Sequence, residues 1–292
     1  GTWGSGLFCI KNNGDIISID DGNGYSELPS NVIYSLYEDT SGILWIGTNG
    51  GGIAKLNPRN KNYVLFSSDY EDSRKINPGK INAIFEDSFG DLWFAIYNDG
   101  LNRYISSEDQ MLDYQQTEDE VSKLTNESIV DIYETSKQEL LIAHGKGLSI
   151  YNRGEDIFEP YDILPMDTIT YAVTEDKNQN LWIGTYYNGL YYYDRERDVL
   201  TNYRKDFEDM KISDNLVYDI LVDSSDRVWV ATNDGLNLLE ANEESFKIFY
   251  SDETDKNSLA SQVIRVIYED SKGRIWIGMT SGGIAYYDEA SN

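Results

Sequence analysis

Only one imidazole and one thiol are available for chemistry in this 292-residue chain, those of His144 and Cys9. A Ser-His-Asp relay would have to be centred on His144. Neither an internal disulfide nor a Cys- or His-rich metal cluster can be assembled. Carboxylates are abundant: 51 Asp and Glu against 24 Lys and Arg leave a formal charge of −27. Two carboxylates can hydrolyse glycosides when one is held protonated and the other ionised. Here, however, adjacent acids such as Glu38-Asp39 and Glu86-Asp87 return at matching places in a repeated line, and repetition argues for a structural duty. Acidic loops such as Asp69-Tyr70-Glu71-Asp72 and Asp252-Glu253-Thr254-Asp255 could attract calcium, but solvated acids are the simpler reading. No catalytic residue, metal or cofactor is expected.

The charge also narrows the partners. So acidic a surface repels phosphate backbones and anionic membranes, so no nucleic acid is expected. No run approaches the roughly 20 apolar residues of a membrane helix, so no direct insertion is expected either. The opening Gly1-Thr2-Trp3-Gly4-Ser5-Gly6 lacks the basic and apolar regions of a signal peptide, as a mature or trimmed chain would. With 13% aromatic residues, the chain is too rich in core material to be disordered.

The elements that must position any site come from internal repetition. The line Ile43-Leu44-Trp45-Ile46-Gly47-Thr48, followed by Gly52-Ile53, recurs around Trp93, Trp182, Trp229 and Trp276, and in degenerate form around Leu141. An acid stands six residues before each Trp (Asp39, Asp87, Asp176, Asp223, Asp270), with Thr135 in the degenerate copy. Gly42, Gly90 and Gly273 lie where a tight turn needs positive φ. Around each such turn lie four short β-rich runs in about 47 residues, the pattern of a four-stranded antiparallel sheet. Radial copies of such a sheet form a β-propeller.

The expected fold is therefore all-β, a single β-propeller domain over 1–292, with the repeated Trp residues buried between blades. Gly1-Thr2 followed by Gly6-Leu7 matches the middle of a repeat, and the chain stops after the third strand of its sixth copy. Two strands, then six fours less one, predict 25. Such an opening suits a fragment of a longer protein, with seven blades in the parent preferred and six as the alternative.

The lines Glu38-Asp39-x-x-Gly42-x-Leu44-Trp45-Ile46-Gly47-Thr48 and Glu269-Asp270-x-x-Gly273-x-Ile275-Trp276-Ile277-Gly278 resemble the two-component regulator propeller repeat. The resemblance covers residues 31–288 in six copies, the third departing through Gln138, Leu141 and His144. It implies the periplasmic or extracellular sensor region of a bacterial hybrid histidine kinase that responds to oligosaccharides, non-enzymatic in itself. It further implies neighbouring domains of the same receptor as partners, and a homodimer. The readings set against it are a polysaccharide-active propeller enzyme, hydrolase or lyase, and a protein-interaction scaffold.

In a propeller, the loops between second and third strands gather on one face. Turn propensity explains their Asn, Asp and Gly, but it does not require Trp3, Tyr97, Tyr186 or Tyr187. Those rings could stack on sugars, and Asn98, Asp99, Asn188 and Asp234 could hold hydroxyls. The net charge favours a neutral or cationic ligand over a polyuronate.

Overall fold

A computed structural model describes the whole chain except residues 12, 20–27, 116–123, 125, 127, 210, 242 and 290–292. The described residues form an all-β propeller fold with 25 strands and no α-helix, the strand number that the repeats predict. Five sheets have four strands, a sixth has three, and Phe8–Ile10 pairs with Ile16–Ser18 as a separate two-stranded sheet. Six blades thus follow the six repeats. The first strand of each is Ile33–Glu38, Ile81–Glu86, Ile129–Glu134, Thr170–Glu175, Val217–Val222 and Ile264–Glu269 in turn.

Internal packing divides the chain into two units, residues 1–134 with 149–160 and residues 135–148 with 161–292. In the first, Trp45 is fully buried and packs on Phe66 of its own blade and on Phe94 and Tyr104 of the next. Trp93 meets Tyr151 and Phe158 of the third repeat in the same way. In the second unit, Trp229 packs edge-on against Tyr287 at 4.9 Å, and Trp182 reaches Phe246. Each of these four indoles is therefore a wedge between blades, as its place in the repeat predicts. Trp276 departs from that expectation, being half-buried against Tyr286.

The acid six residues before the Trp does two jobs. Oδ1 of Asp39 accepts from the Ser41 and Ile43 amides at 3.0 and 2.9 Å, which closes the turn, while Oδ2 accepts from the Trp45 indole at 2.8 Å. Asp87, Asp223 and Asp270 serve Trp93, Trp229 and Trp276 likewise, at 2.7, 2.8 and 2.9 Å. Where Leu141 replaces the Trp there is no indole to satisfy, and Thr135 Oγ1 accepts only from the turn amides of Lys137 and Glu139.

The preceding Glu works on the neighbouring blade. Glu86 takes Thr40, Glu134 takes Ser88, Glu175 takes Ser136 and Glu269 takes Ser224, each accepting the backbone amide. The carboxylate pairs are thus split between two structural roles. At the other end of the second strand, a Cβ on Gly100 (φ 82°) would sit 2.2 Å from the Tyr114 carbonyl oxygen, so only glycine fits.

Candidate functional site

In five blades the first and second strands pair residue by residue in antiparallel register. In each of the five the register shifts after the first residue of the first strand, between Ile33/Ser35, Ile81/Ala83, Thr170/Ala172, Val217/Asp219 and Ile264/Val266. The residue skipped by the register at the bulge is Tyr34, Asn82, Tyr171, Tyr218 and Arg265 respectively. A bulge re-aims the side chain it carries. Beyond it the ladder resumes, with the loop residue after the second strand donating to the residue before the first. The Tyr97 amide donates to the Lys80 carbonyl at 2.9 Å, and those of Tyr186, Asn233 and Thr280 donate to Ile169, Leu216 and Val263. Each loop residue is thereby held beside a bulged one.

In the first unit this brings four side chains together. Trp3 meets Tyr34 edge-on with centroids 5.1 Å apart. The Lys80 ammonium lies 4.5 Å from the Tyr34 centroid and 4.3 Å from that of Tyr97. Trp3 is 76% exposed and Tyr97 45%. Asn98, in the left-handed region at φ 61°, accepts from the Ser128 hydroxyl. Asp99 turns to the scaffold, its carboxylate taking Gln115 at 3.3 Å and its carbonyl taking Asn77 at 2.8 Å.

In the second unit the same construction yields a ladder of rings. Tyr187 and Tyr186 lie 4.2 Å apart, Tyr186 and Tyr171 5.2 Å, and Tyr171 and Tyr218 6.2 Å. The Arg265 guanidinium closes the row, 3.9 Å over the Tyr218 ring, and donates to Thr280. Tyr187 holds φ at 73° and is the sole aromatic among the described non-glycine residues with positive φ. The equivalent loop position is Gly50 in the first blade and Asn98 in the second, residues that tolerate that conformation. The Tyr186 hydroxyl contact raises the Tyr187 phenol above its ordinary value. Asn188 lies in the same loop, its amide donating to Thr185 Oγ1. Asp234 is engaged elsewhere, accepting from Lys205 at 2.9 Å, which also reaches Asp214.

The predicted residues therefore fall into two groups, Trp3, Tyr97 and Asn98 in one unit and Tyr186, Tyr187 and Asn188 in the other, while the carboxylates of Asp99 and Asp234 brace loops. Sequence reasoning missed Tyr34, Lys80, Tyr171, Tyr218 and Arg265. The signal of Tyr34, Tyr171, Tyr218 and Arg265 was a polar or aromatic residue directly after the first residue of a strand, which read as ordinary alternation, whereas Lys80 lies just before its strand.

His144 carries no catalytic geometry. It is 1% exposed, its Nδ1 accepts from the Lys146 amide at 3.1 Å, and burial, with a smaller contribution from Lys146, lowers its pKa to about 4. No group of three or more His, Cys, Asp or Glu among the described residues is placed to hold a metal ion. No helix among them is long and apolar enough to cross a membrane.

Four segments, residues 27–50, 163–187, 211–234 and 258–281, match the family model described as Two component regulator propeller. Over 86 residues the chain is 35% identical to histidine kinase P4 of Formosa agariphila, a stretch that is 28% of this chain and 6% of that protein. Its fold is similar to the extracellular domain of a putative hybrid two component system from B. thetaiotaomicron (TM-score 0.78, 20% identity, covering 97% of this chain and 35% of that one). A second such domain from the same organism gives a TM-score of 0.66 at 22% identity, covering 91% of this chain and 40% of that one. The chain thus spans a minor part of each of these three proteins.

Proposed function

We propose that this chain, built from two-component regulator propeller repeats, is the ligand-sensing part of a bacterial receptor, displayed outside the cytoplasm, and that its ligand is an oligosaccharide. The observation that carries this reading is the ladder Tyr187, Tyr186, Tyr171, Tyr218 and Arg265, whose neighbours lie 4.2, 5.2, 6.2 and 3.9 Å apart. Stacked and offset aromatic faces suit the apolar faces of sugar rings, and phenol and guanidinium groups suit the hydroxyls at their edges. The role is binding rather than turnover: the repeated carboxylates hold turns and indoles, and the one histidine is buried and neutral. Contact with neighbouring receptor domains and formation of a homodimer belong to the same proposal.

The test is calorimetric titration of a panel of neutral tetrasaccharides, cellotetraose included, against the protein and a Tyr186→Ala, Tyr187→Ala double variant. Two lost stacking contacts should weaken binding by about 2 kcal/mol in all. Undiminished binding by the variant would remove the ladder. Release of reducing ends from the panel would replace the sensor with an enzyme.

A further inference from the structure

Among the described residues of the first unit, the half-buried cations have carboxylate partners except Lys55, which lies over the buried Trp45 and Tyr104 rings, and Lys80. Arg103 pairs with Asp91 at 2.6 Å, and Arg153 with Asp87 and Glu134 at 3.0 Å each. Lys80 has two tyrosine faces instead. Burial alone moves its ammonium, lowering it from the ordinary lysine value, and no charged neighbour contributes. Ring faces are attractive to a cation but accept none of its three N–H groups. The exposed Trp3 indole stands at the edge of this pair, packed on Tyr34.

We propose that Lys80, Tyr34, Tyr97 and Trp3 form a subsite for the anionic group of an acidic saccharide, a carboxylate or a sulfate ester. Lys80 holds the charge and Trp3 stacks on the ring that bears it. The proposal rests on the reading of the chain as a saccharide binder and specifies the ligand class. It runs against the net charge for a reason of range. At physiological salt, exposed charges beyond about 8 Å are largely screened, whereas a charge-assisted hydrogen bond at about 2.8 Å is not. An ammonium with no carboxylate partner among the described residues has no ion pair there to break on binding. The pairing of Tyr97 with Ser128 across an isolated bridge holds one wall of the subsite in place beforehand.

The experiment titrates tetragalacturonate, a sulfated carrageenan tetrasaccharide, cellotetraose and inorganic sulfate into the protein at about 0.15 M salt, a regime in which distant charges are screened. The variants are Lys80→Met, Lys80→Arg, Trp3→Ala and the Tyr186→Ala, Tyr187→Ala pair, with thermal unfolding to verify that each is folded. At least one acidic tetrasaccharide should bind more tightly than cellotetraose, and the one that does identifies uronate or sulfate. Lys80→Met should weaken it about tenfold while leaving cellotetraose unchanged, as loss of one charged hydrogen bond requires. Lys80→Arg should retain most of the affinity, and Trp3→Ala should weaken the same ligand. The inference is overturned if neither acidic probe exceeds cellotetraose, if Lys80→Met binds as before, or if inorganic sulfate alone binds as well as the carrageenan probe. Cellotetraose binding that is lost only in the double tyrosine variant, with Lys80 indifferent to every probe, would overturn the subsite and leave the sensor reading standing. No heat from any saccharide would overturn both.

Discussion

The Trp93 indole donates to Oδ2 of Asp87 at 2.7 Å, and the same oxygen accepts from Arg153 at 3.0 Å. Trp182 and Asp176 occupy the equivalent positions of the fourth blade, yet the Trp182 indole N–H has no hydrogen-bond partner among the described residues. There Asp176 Oδ2 faces the Asn180 side chain, which also donates to Tyr192.

The two acids should therefore differ in value. Asp87→Ala strands a buried indole N–H and takes one of two carboxylates from Arg153, and should cost about 3 kcal/mol. Asp176→Ala removes turn closure and a long Asn180 contact, and should cost about 1 kcal/mol. Chemical denaturation of both variants measures the difference, and equal costs would contradict the double duty of Asp87.

His144 sets a pH window. Its folded pKa, about 4, lies below its ordinary 6.5, so the unfolded chain binds more protons between those values. Its contribution is complete above about pH 6.5 and is lost as pH falls towards 4, up to about 3 kcal/mol. Hydrogen bonds from Trp276 and Arg274 hold the Asp270 carboxyl well below the usual range, so its contribution fails only under stronger acid. His144→Thr restores the residue found at Thr48, Thr185 and Thr232. It should flatten stability between pH 6.5 and 4 while leaving the steeper loss below pH 4, as urea midpoints against pH would record.

Tyr187 trades stability for its position. A bulky residue in the left-handed region costs roughly 1–2 kcal/mol. Tyr187→Asn should raise stability by about 1 kcal/mol in thermal or denaturant unfolding and at the same time weaken any neutral saccharide bound on the ladder. A variant no more stable than the parent would show that the conformation carries no strain.

Gly100→Ala tests the close approach of loop and fourth strand. Positive φ and the Tyr114 carbonyl act together there, so a loss of at least about 2 kcal/mol is expected. The nearby Gly90→Ala has the same φ problem at 83° but open space around its Cβ, and should cost less.

Much of the fold was legible because it is written in short range. The turn acid, its glycine and the Trp lie within six residues of one another, and the hydrogen bonds among them repeat blade after blade. Even the degenerate repeat is self-consistent, since Thr135 lacks a carboxylate where Leu141 lacks an indole. Where glycine is absent from the turn, Gln138, Gln179 and Asp226 adopt its positive φ, a substitution that the tolerance of the turn permits.

By itself the sequence determined the repeat, the strand number, the wedge role of the indoles and the loops that carry Trp3, Tyr97, Tyr186 and Tyr187. Tertiary structure alone decided which side chains stand beside those loops. A one-residue bulge turns Tyr34, Tyr171, Tyr218 and Arg265 out of the strand alternation, and no local propensity announces it, because register is a property of two strands. It likewise decided that Asp234 is spent on Lys205, 29 residues away, while Lys80 has rings and, among the described residues, no carboxylate. Partners that distant in sequence are chosen by packing, and the charge of the whole chain says little about the field at one ammonium.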